Sequence, residues 1–292
     1  METGESSGWR SRIPAEMVRI TDRAIGFPAG VYEREMMMIN ELAAGCDLLV
    51  ISPHTDDAEI GLGGTIRLLA DQGRRVWAVD LTRGELATNA TPEERWVEAG
   101  RASVVLGLTG RAQLTLPDGF VDGADRAQVA DLVAVLRCLR PRWVATAPDP
   151  VRHPDHRATP GLVARACFLS RLAAWQPELP EARYWADGEN FGEPVDRWEV
   201  EALFAVCADD GEASLLFDVS GTWPAKEQAL ACYESQFARG ERRPTAINDE
   251  SFLEKIQRRG RNWGRRAGVR YAEALQSESI PVVTDLPTER WV

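Results

Sequence analysis

The run Asp47-Leu48-Leu49-Val50-Ile51-Ser52 is apolar at nearly every position and stops at Pro53, directly before His54-Thr55-Asp56-Asp57. A strand buried on both faces reads this way, whereas a strand with one wet face would alternate. Working outward, residues 59–72 carry helical periodicity through Ile66, Leu69 and Ala70, and Val76–Thr82 (VWAVDLT) reads as a second buried strand. Thr91-Pro92-Glu93-Glu94 starts a helix: threonine at the N-cap, proline at the first helical position and a glutamate that completes a capping box. That helix is expected to reach Leu106. Residues 112–116 form a short strand, 125–139 an amphipathic helix with Val129, Leu132, Val133 and Leu136 on one face, and 143–147 the next strand. Strands alternating with helices predict an α/β, Rossmann-like three-layer fold with a mostly parallel sheet. Additional strands are expected near 202–207 and 215–219, with helices near 224–237 and 249–273.

Composition narrows the function classes. With 292 residues and 44% hydrophobic content, the chain can bury a sizeable core. Cys46, Cys138, Cys167, Cys207 and Cys232 are scattered and form no Cys-x-x-Cys pair, which argues for reduced thiols in the cytoplasm and against a thiolate zinc site. No apolar run approaches the about 20 residues of a membrane span, and the polar N-terminus lacks a signal-peptide core. No membrane partner is expected. The formal net charge of −11 speaks against a nucleic-acid partner. Arg258, Arg261 and Arg265 would share one helix face, read as a solvated or subunit-contact surface, with anion binding as the other reading.

The histidine supply is the main chemical signal. The chain has three: His54 in the cluster above, and His153 and His156 in His153-Pro154-Asp155-His156. Both clusters fall just past predicted strand ends, where open α/β sheets form ligand sites. His54, Asp57 and His156 are candidate metal ligands, since two imidazoles and a carboxylate leave coordination positions open. That set suits Zn2+ and Fe2+ alike. Asp56, adjacent to a ligand and diverging from it, suits a general base toward water. His153, preceding a proline, is expected to face the substrate as an oxyanion stabiliser or acid, and Asp155 to fix a histidine tautomer. Gly61-Leu62-Gly63-Gly64, with Asp80 ending the next strand, invites a dinucleotide reading; Ile66 in the third-glycine slot breaks the fingerprint, and close helix–strand packing explains these glycines better.

Residues 52–65 (SPHTDDAEIGLGGT) and His153-Pro154-Asp155-His156 resemble the two metal motifs of the LmbE-like, or PIG-L, zinc N-deacetylases. The likeness continues through Asp80-Leu81-Thr82-Arg83-Gly84-Glu85, Thr91-Pro92-Glu93-Glu94-Arg95, Leu116-Pro117-Asp118, Tyr233-Glu234-Ser235-Gln236-Phe237 and Tyr271-Ala272-Glu273-Ala274. These stretches look most like the bacillithiol-pathway deacetylases of N-acetylglucosaminyl malate. Coverage is about residues 46–280, leaving 1–45 as an N-terminal extension and 281–292 as a tail. The resemblance implies His54, Asp57 and His156 as zinc ligands, Asp56 as general base, His153 as the oxyanion or acid histidine with Asp155 supporting, and Arg95 as a sugar contact. Arg152 is a further candidate beside the site. Thr55 departs from the family's proline or alanine, and residues 207–216 (CADDGEASLL) lack the histidine and aromatic text of the subgroup.

The implied enzyme removes an N-acetyl group from a 2-acetamido sugar as a soluble homo-oligomer. An amidase of thiol conjugates or natural-product intermediates, a nucleotide-binding oxidoreductase and a non-catalytic metal binder are the rival readings.

Overall fold

The computed structural model describes residues 45–146, 153–185, 191–207, 211–237, 243–245 and 248–277. The chain divides into two units, Met1–Leu42 and Ala43–Val292, and the described residues belong to the second. The expected extension (apart from Gly45), the tail and Arg152 lie outside the described residues.

β1 (Cys46–Ser52), β2 (Val76–Thr82), β3 (Gly110–Leu116) and β4 (Pro141–Thr146) alternate with α1 (Asp57–Asp71), α2 (Pro92–Leu106), α3 (Arg126–Leu139) and α4 (Pro154–Leu169). β5 (Arg183–Trp185), β6 (Ala202–Val206) and β7 (Leu215–Asp218) follow, then α5 (Trp223–Ala231), α6 (Glu234–Phe237), α7 (Glu250–Ala267) and β8 (Ala272–Gln276). They form one sheet in the order β5-β3-β2-β1-β4-β6-β8-β7. The body from β3 to β6 is parallel. β5 and β8 join it antiparallel, and β7 pairs antiparallel with β8. The expected α/β architecture with a mostly parallel sheet is therefore present.

β1 shows why its sequence lacks alternation. Leu49 and Ile51 enter the core under α3 and α4, with Leu132, Val133 and Leu162. Leu48 and Val50 enter the opposite core, with Leu62 and Ile66 of α1 and Ala99 and Ala102 of α2. Helices thus cover both faces of the sheet. Thr91 and Glu94 make the capping box at the start of α2. Among the described residues no helix is long and apolar enough to cross a membrane.

Some expectations are corrected. The helix placed at 249–273 ends at Ala267, because Gly268 takes up the left-handed conformation (φ 65°) and its N–H closes the last turn. Residues 272–276, composed of helix-favouring Ala, Glu, Leu and Gln, instead form β8 between β6 and β7. Pairing on both sides overrides propensity there. The helix placed at 224–237 is two, α5 and α6, and α4 and β5 had no counterpart in the sequence reading.

β8 bears directly on α1. The helix breaks at Leu62 (φ −134°, ψ 17°). In an unbroken helix the Gly64 N–H would donate to the Ile60 carbonyl. Here Glu273 Oε1 accepts from Gly64 N–H at 3.1 Å and Oε2 accepts from Thr65 N–H at 2.7 Å, while Lys226 Nζ donates to the Ile60 carbonyl at 2.9 Å. Lys226 and Glu273 meet each other at 2.5 Å, both buried. The pair is inserted into the helix as a splint. The glycines leave it room: a Cβ on Gly63 would stand 3.0 Å from Lys226 Cγ, and one on Gly64 would stand 2.7 Å from Val219 Cβ. These glycines serve close packing, Gly63 against α5 and Gly64 against Val219 just past β7, where packing against a strand was expected.

A simple buried ion pair is replaceable by apolar residues at little cost, whereas removing one partner costs about 3–5 kcal/mol. A splint behaves differently, because backbone groups stay stranded after both charges go. Glu273→Leu is expected to destabilise by at least that single-partner cost, and the double variant Lys226→Met/Glu273→Leu to recover little of it. Denaturant unfolding checks this, and full recovery in the double variant would show a pair without the splint role.

Candidate metal centre

The site lies at the C-terminal ends of neighbouring strands. Pro53 follows β1, and its carbonyl accepts from the N–H and the hydroxyl of Thr82 at the end of β2, at 3.1 and 3.0 Å. His54, Asp56 and Asp57 come next, with Asp57 opening α1. His153 caps α4, its Nδ1 accepting from Asp155 N–H at 3.3 Å, and Asp155 and His156 sit in the first turn.

The structure brings both histidine clusters together. Asp57 Oδ2 is 3.3 Å from His54 Nδ1 and 3.3 Å from His156 Nε2. Ligand atoms about 2.0–2.1 Å from a tetrahedral zinc stand about 3.3–3.4 Å apart, so these three donors fit such an ion. On the other side of the ring, His54 Nε2 is 3.2 Å from Asp118 Oδ1 and 3.2 Å from Asp155 Oδ2. His54, Asp118, His153 and Asp155 form a second group with ligand atoms in mutual reach. A neutral imidazole serves only one group as ligand and offers its N–H to the other. The first group is the better metal side. Asp155 already accepts from Gly119 N–H (2.8 Å) and Val121 N–H (3.2 Å), and Asp118 Oδ2 accepts from Leu86 N–H (2.9 Å). Asp155 and Asp118 then receive the His54 Nε2–H and orient the ring.

Charge is concentrated here. Burial works against the His54 imidazolium, but hydrogen bonds to Asp118, Asp155 and Asp57 outweigh it and raise the ring's pKa well above the ordinary histidine value. Burial would raise Asp57, yet His156 and His54 hold it far below the carboxylate range. Asp56 behaves oppositely: burial pushes it up to about 7 against the pull of Arg95. His153 is lowered by burial and by the neighbouring His54. It remains the most open of the three, with 45% of its side chain exposed.

Arg95, expected at the sugar, is buried with its Nη2 3.4 Å from Asp56 Oδ2. Asp155, expected to serve a histidine, reaches His54 more closely than His153, whose Nδ1 is 4.0 Å away. Asp118 received no role from the sequence, although it follows β3 just as His54 follows β1. Glu85 was missed as well; its Oε1 accepts from Asp118 N–H at 2.8 Å. Asp80 is not free for a ribose: Arg111 holds it through Nε at 2.7 Å and Nη2 at 2.8 Å, and also pairs with Glu59 at 2.6 Å, all fully buried. That removes the carboxylate a dinucleotide reading requires.

Residues 49–167 match the model of the PIG-L family, described as GlcNAc-PI de-N-acetylase. The chain is 30% identical over 265 residues to the 1D-myo-inositol 2-acetamido-2-deoxy-alpha-D-glucopyranoside deacetylase of Kineococcus radiotolerans, covering 69% of this chain and 72% of that one. The chain belongs to the PIG-L family. It is also similar to the diacetylchitobiose deacetylase of Thermococcus kodakarensis, with 28% identity, 78% of this chain and 82% of the relative covered. The crystal structure of a conserved Thermus thermophilus protein superposes with a TM-score of 0.69 at 35% identity, covering 84% of this chain and 100% of that one. Both named relatives are deacetylases, and this PIG-L chain belongs with a family of hydrolases.

If Asp118 and Asp155 orient His54, Asp155→Asn and Asp118→Asn are each expected to weaken zinc binding by about 10–100-fold. Competition against a chromophoric chelator measures it, and wild-type affinity in both variants would remove them from this role.

Proposed function

We propose that this chain is a metal-dependent hydrolase that removes the acetyl group from a 2-acetamido sugar. The observation that carries the proposal is Asp57 Oδ2 at 3.3 Å from both His54 Nδ1 and His156 Nε2, with buried Asp56 beside it. His54, Asp57 and His156 would hold Zn2+ or Fe2+. When bound, the cation supplies a Lewis acid for the acetyl carbonyl and acidifies a water.

The chain's own residues do the rest. Asp56 is too close in sequence to Asp57 to share its direction, so its carboxylate is left to accept the proton of the attacking water. Arg95 pairs with Asp56 and keeps its carboxylate oriented. His153 accepts the Asp155 N–H at Nδ1, which places the ring proton on Nε2. A neutral ring in that tautomer donates a hydrogen bond to the oxygen that becomes negative as water adds to the carbonyl. Asp56 then returns its proton to the departing amine. Both named relatives act on N-acetylated sugars by their names, which supports the sugar class. The subgroup likeness places N-acetylglucosaminyl malate on the panel to be tested.

Purified protein is expected to release acetate from N-acetylglucosaminides, to lose activity on chelation and to regain it with Zn2+ or Fe2+. Asp56→Ala is expected to lower kcat by about 10²–10⁴-fold while still binding metal. Full activity after exhaustive metal removal, or in Asp56→Ala, would overturn the mechanism.

A further inference from the structure

Phe120 and Leu86 are the most exposed large hydrophobics near the histidine cluster, at 70% and 65%. The turn that carries Phe120 is tied at every position: Asp118 N–H to Glu85 at 2.8 Å, Gly119 N–H to Asp155 at 2.8 Å, Phe120 N–H to the Pro117 carbonyl at 3.0 Å, and Val121 N–H to Asp155 at 3.2 Å. Gln128 Nε2 holds the Phe120 carbonyl from below at 3.1 Å. The backbone therefore arches over the Asp155 carboxylate, one of those that touch His54, and the Phe120 side chain is left exposed on the arch.

Leu86 is set against the same turn. Its N–H donates to Asp118 at 2.9 Å, and a Cβ on Gly119 would stand 3.3 Å from Leu86 Cδ1. Its loop is closed by the Ala87 N–H to Gly84 carbonyl bond at 3.0 Å, and is tied at Asn89 to the backbone of Arg243. An apolar pair held rigidly in water at the mouth of a polar site is a binding surface with its ordering cost met in advance.

The flank decides what binds there. A cavity of about 370 Å³ beside Glu85 is lined by Glu85, Glu93 and Glu181 against a single Arg83, which is itself paired with Glu181 at 3.4 Å. With Glu181 paired, Glu85 and Glu93 leave this flank an excess of negative charge that disfavours a carboxylated aglycone such as malate. A pyranose ring is neutral and offers a flat C–H face to an aromatic ring. We infer that Phe120 and Leu86 form the platform for a neutral ring joined to the acetamido sugar, and so set the enzyme's preference for disaccharide-like substrates. This rests on the deacetylase reading above.

The test compares metal-loaded wild type, Phe120→Ala and Phe120→Trp on N-acetylglucosamine, N,N'-diacetylchitobiose and N-acetylglucosaminyl malate. Calorimetry with the singly deacetylated disaccharide product gives a Kd that does not depend on turnover. Phe120→Ala is expected to raise the disaccharide KM about tenfold more than the monosaccharide KM with little change in kcat, to weaken product binding about tenfold, and to be rescued by Phe120→Trp. Equal effects on both sugars, a loss confined to kcat, or wild-type preference for the malate conjugate would overturn the platform. So would a change of oligomeric mass in Phe120→Ala, which would make Phe120 a subunit contact. If wild type releases acetate from no substrate, the deacetylase reading fails, and the product Kd in Phe120→Ala still decides the platform.

Discussion

The Lys226–Glu273 pair is the constraint on which the geometry of this molecule turns. A parallel sheet with helices on both faces needs no such pair. A helix that breaks in its second turn does, because its freed N–H and carbonyl groups are buried and cost about 1–3 kcal/mol each if left unpaired. Glu273 comes from β8 and Lys226 from α5, both from the last quarter of the chain, and both act on α1. The opposite end of α1 carries Asp57 and is fixed by Glu59 against Arg111. The helix holding a candidate ligand is thus clamped at its first turn by β3 and at its break by the C-terminal elements.

Most of the parallel body was legible because β1 and β2 are buried on both faces and α1 to α3 show helical periodicity, a cap or an amphipathic stripe, whereas α4, with Pro160 inside it, passed unread. Thr91, read as an N-cap and seen as one, is an example. The histidine clusters were legible for a chemical reason: a chain that confines its histidines to acidic motifs after strands leaves few other uses for them. β8 was illegible because Ala, Glu, Leu and Gln favour a helix, and only the vacant edges of β6 and β7 make them a strand. The Arg95–Asp56 contact was illegible for a related reason: nothing local in the sequence shows that Asp56 comes to meet an arginine in the first turn of α2.

Asp118 sits between these cases. It stands after a strand, as the recognised residues do, but a lone aspartate before a glycine also reads as a turn residue. Its meaning depends on His54, a partner 64 residues away. The buried charges show the same dependence. Asp80 in one dimension only ends a strand after a glycine-rich run, and in three it is half of a bidentate pair with Arg111.

The distances along the chain have a kinetic side. Beside the local Asp57, His54 takes carboxylate partners from 64 and 101 residues downstream, and β2 lies between β1 and β3 in the sheet. Contacts so far apart form only after the intervening loops have closed, late in the assembly of a parallel sheet. A chain halted partway through folding, or emerging from synthesis before His156, has imidazoles and carboxylates but no cluster. Possession of the site and completion of the fold are one event, so hydrolytic capacity arrives only in molecules that have already buried their core.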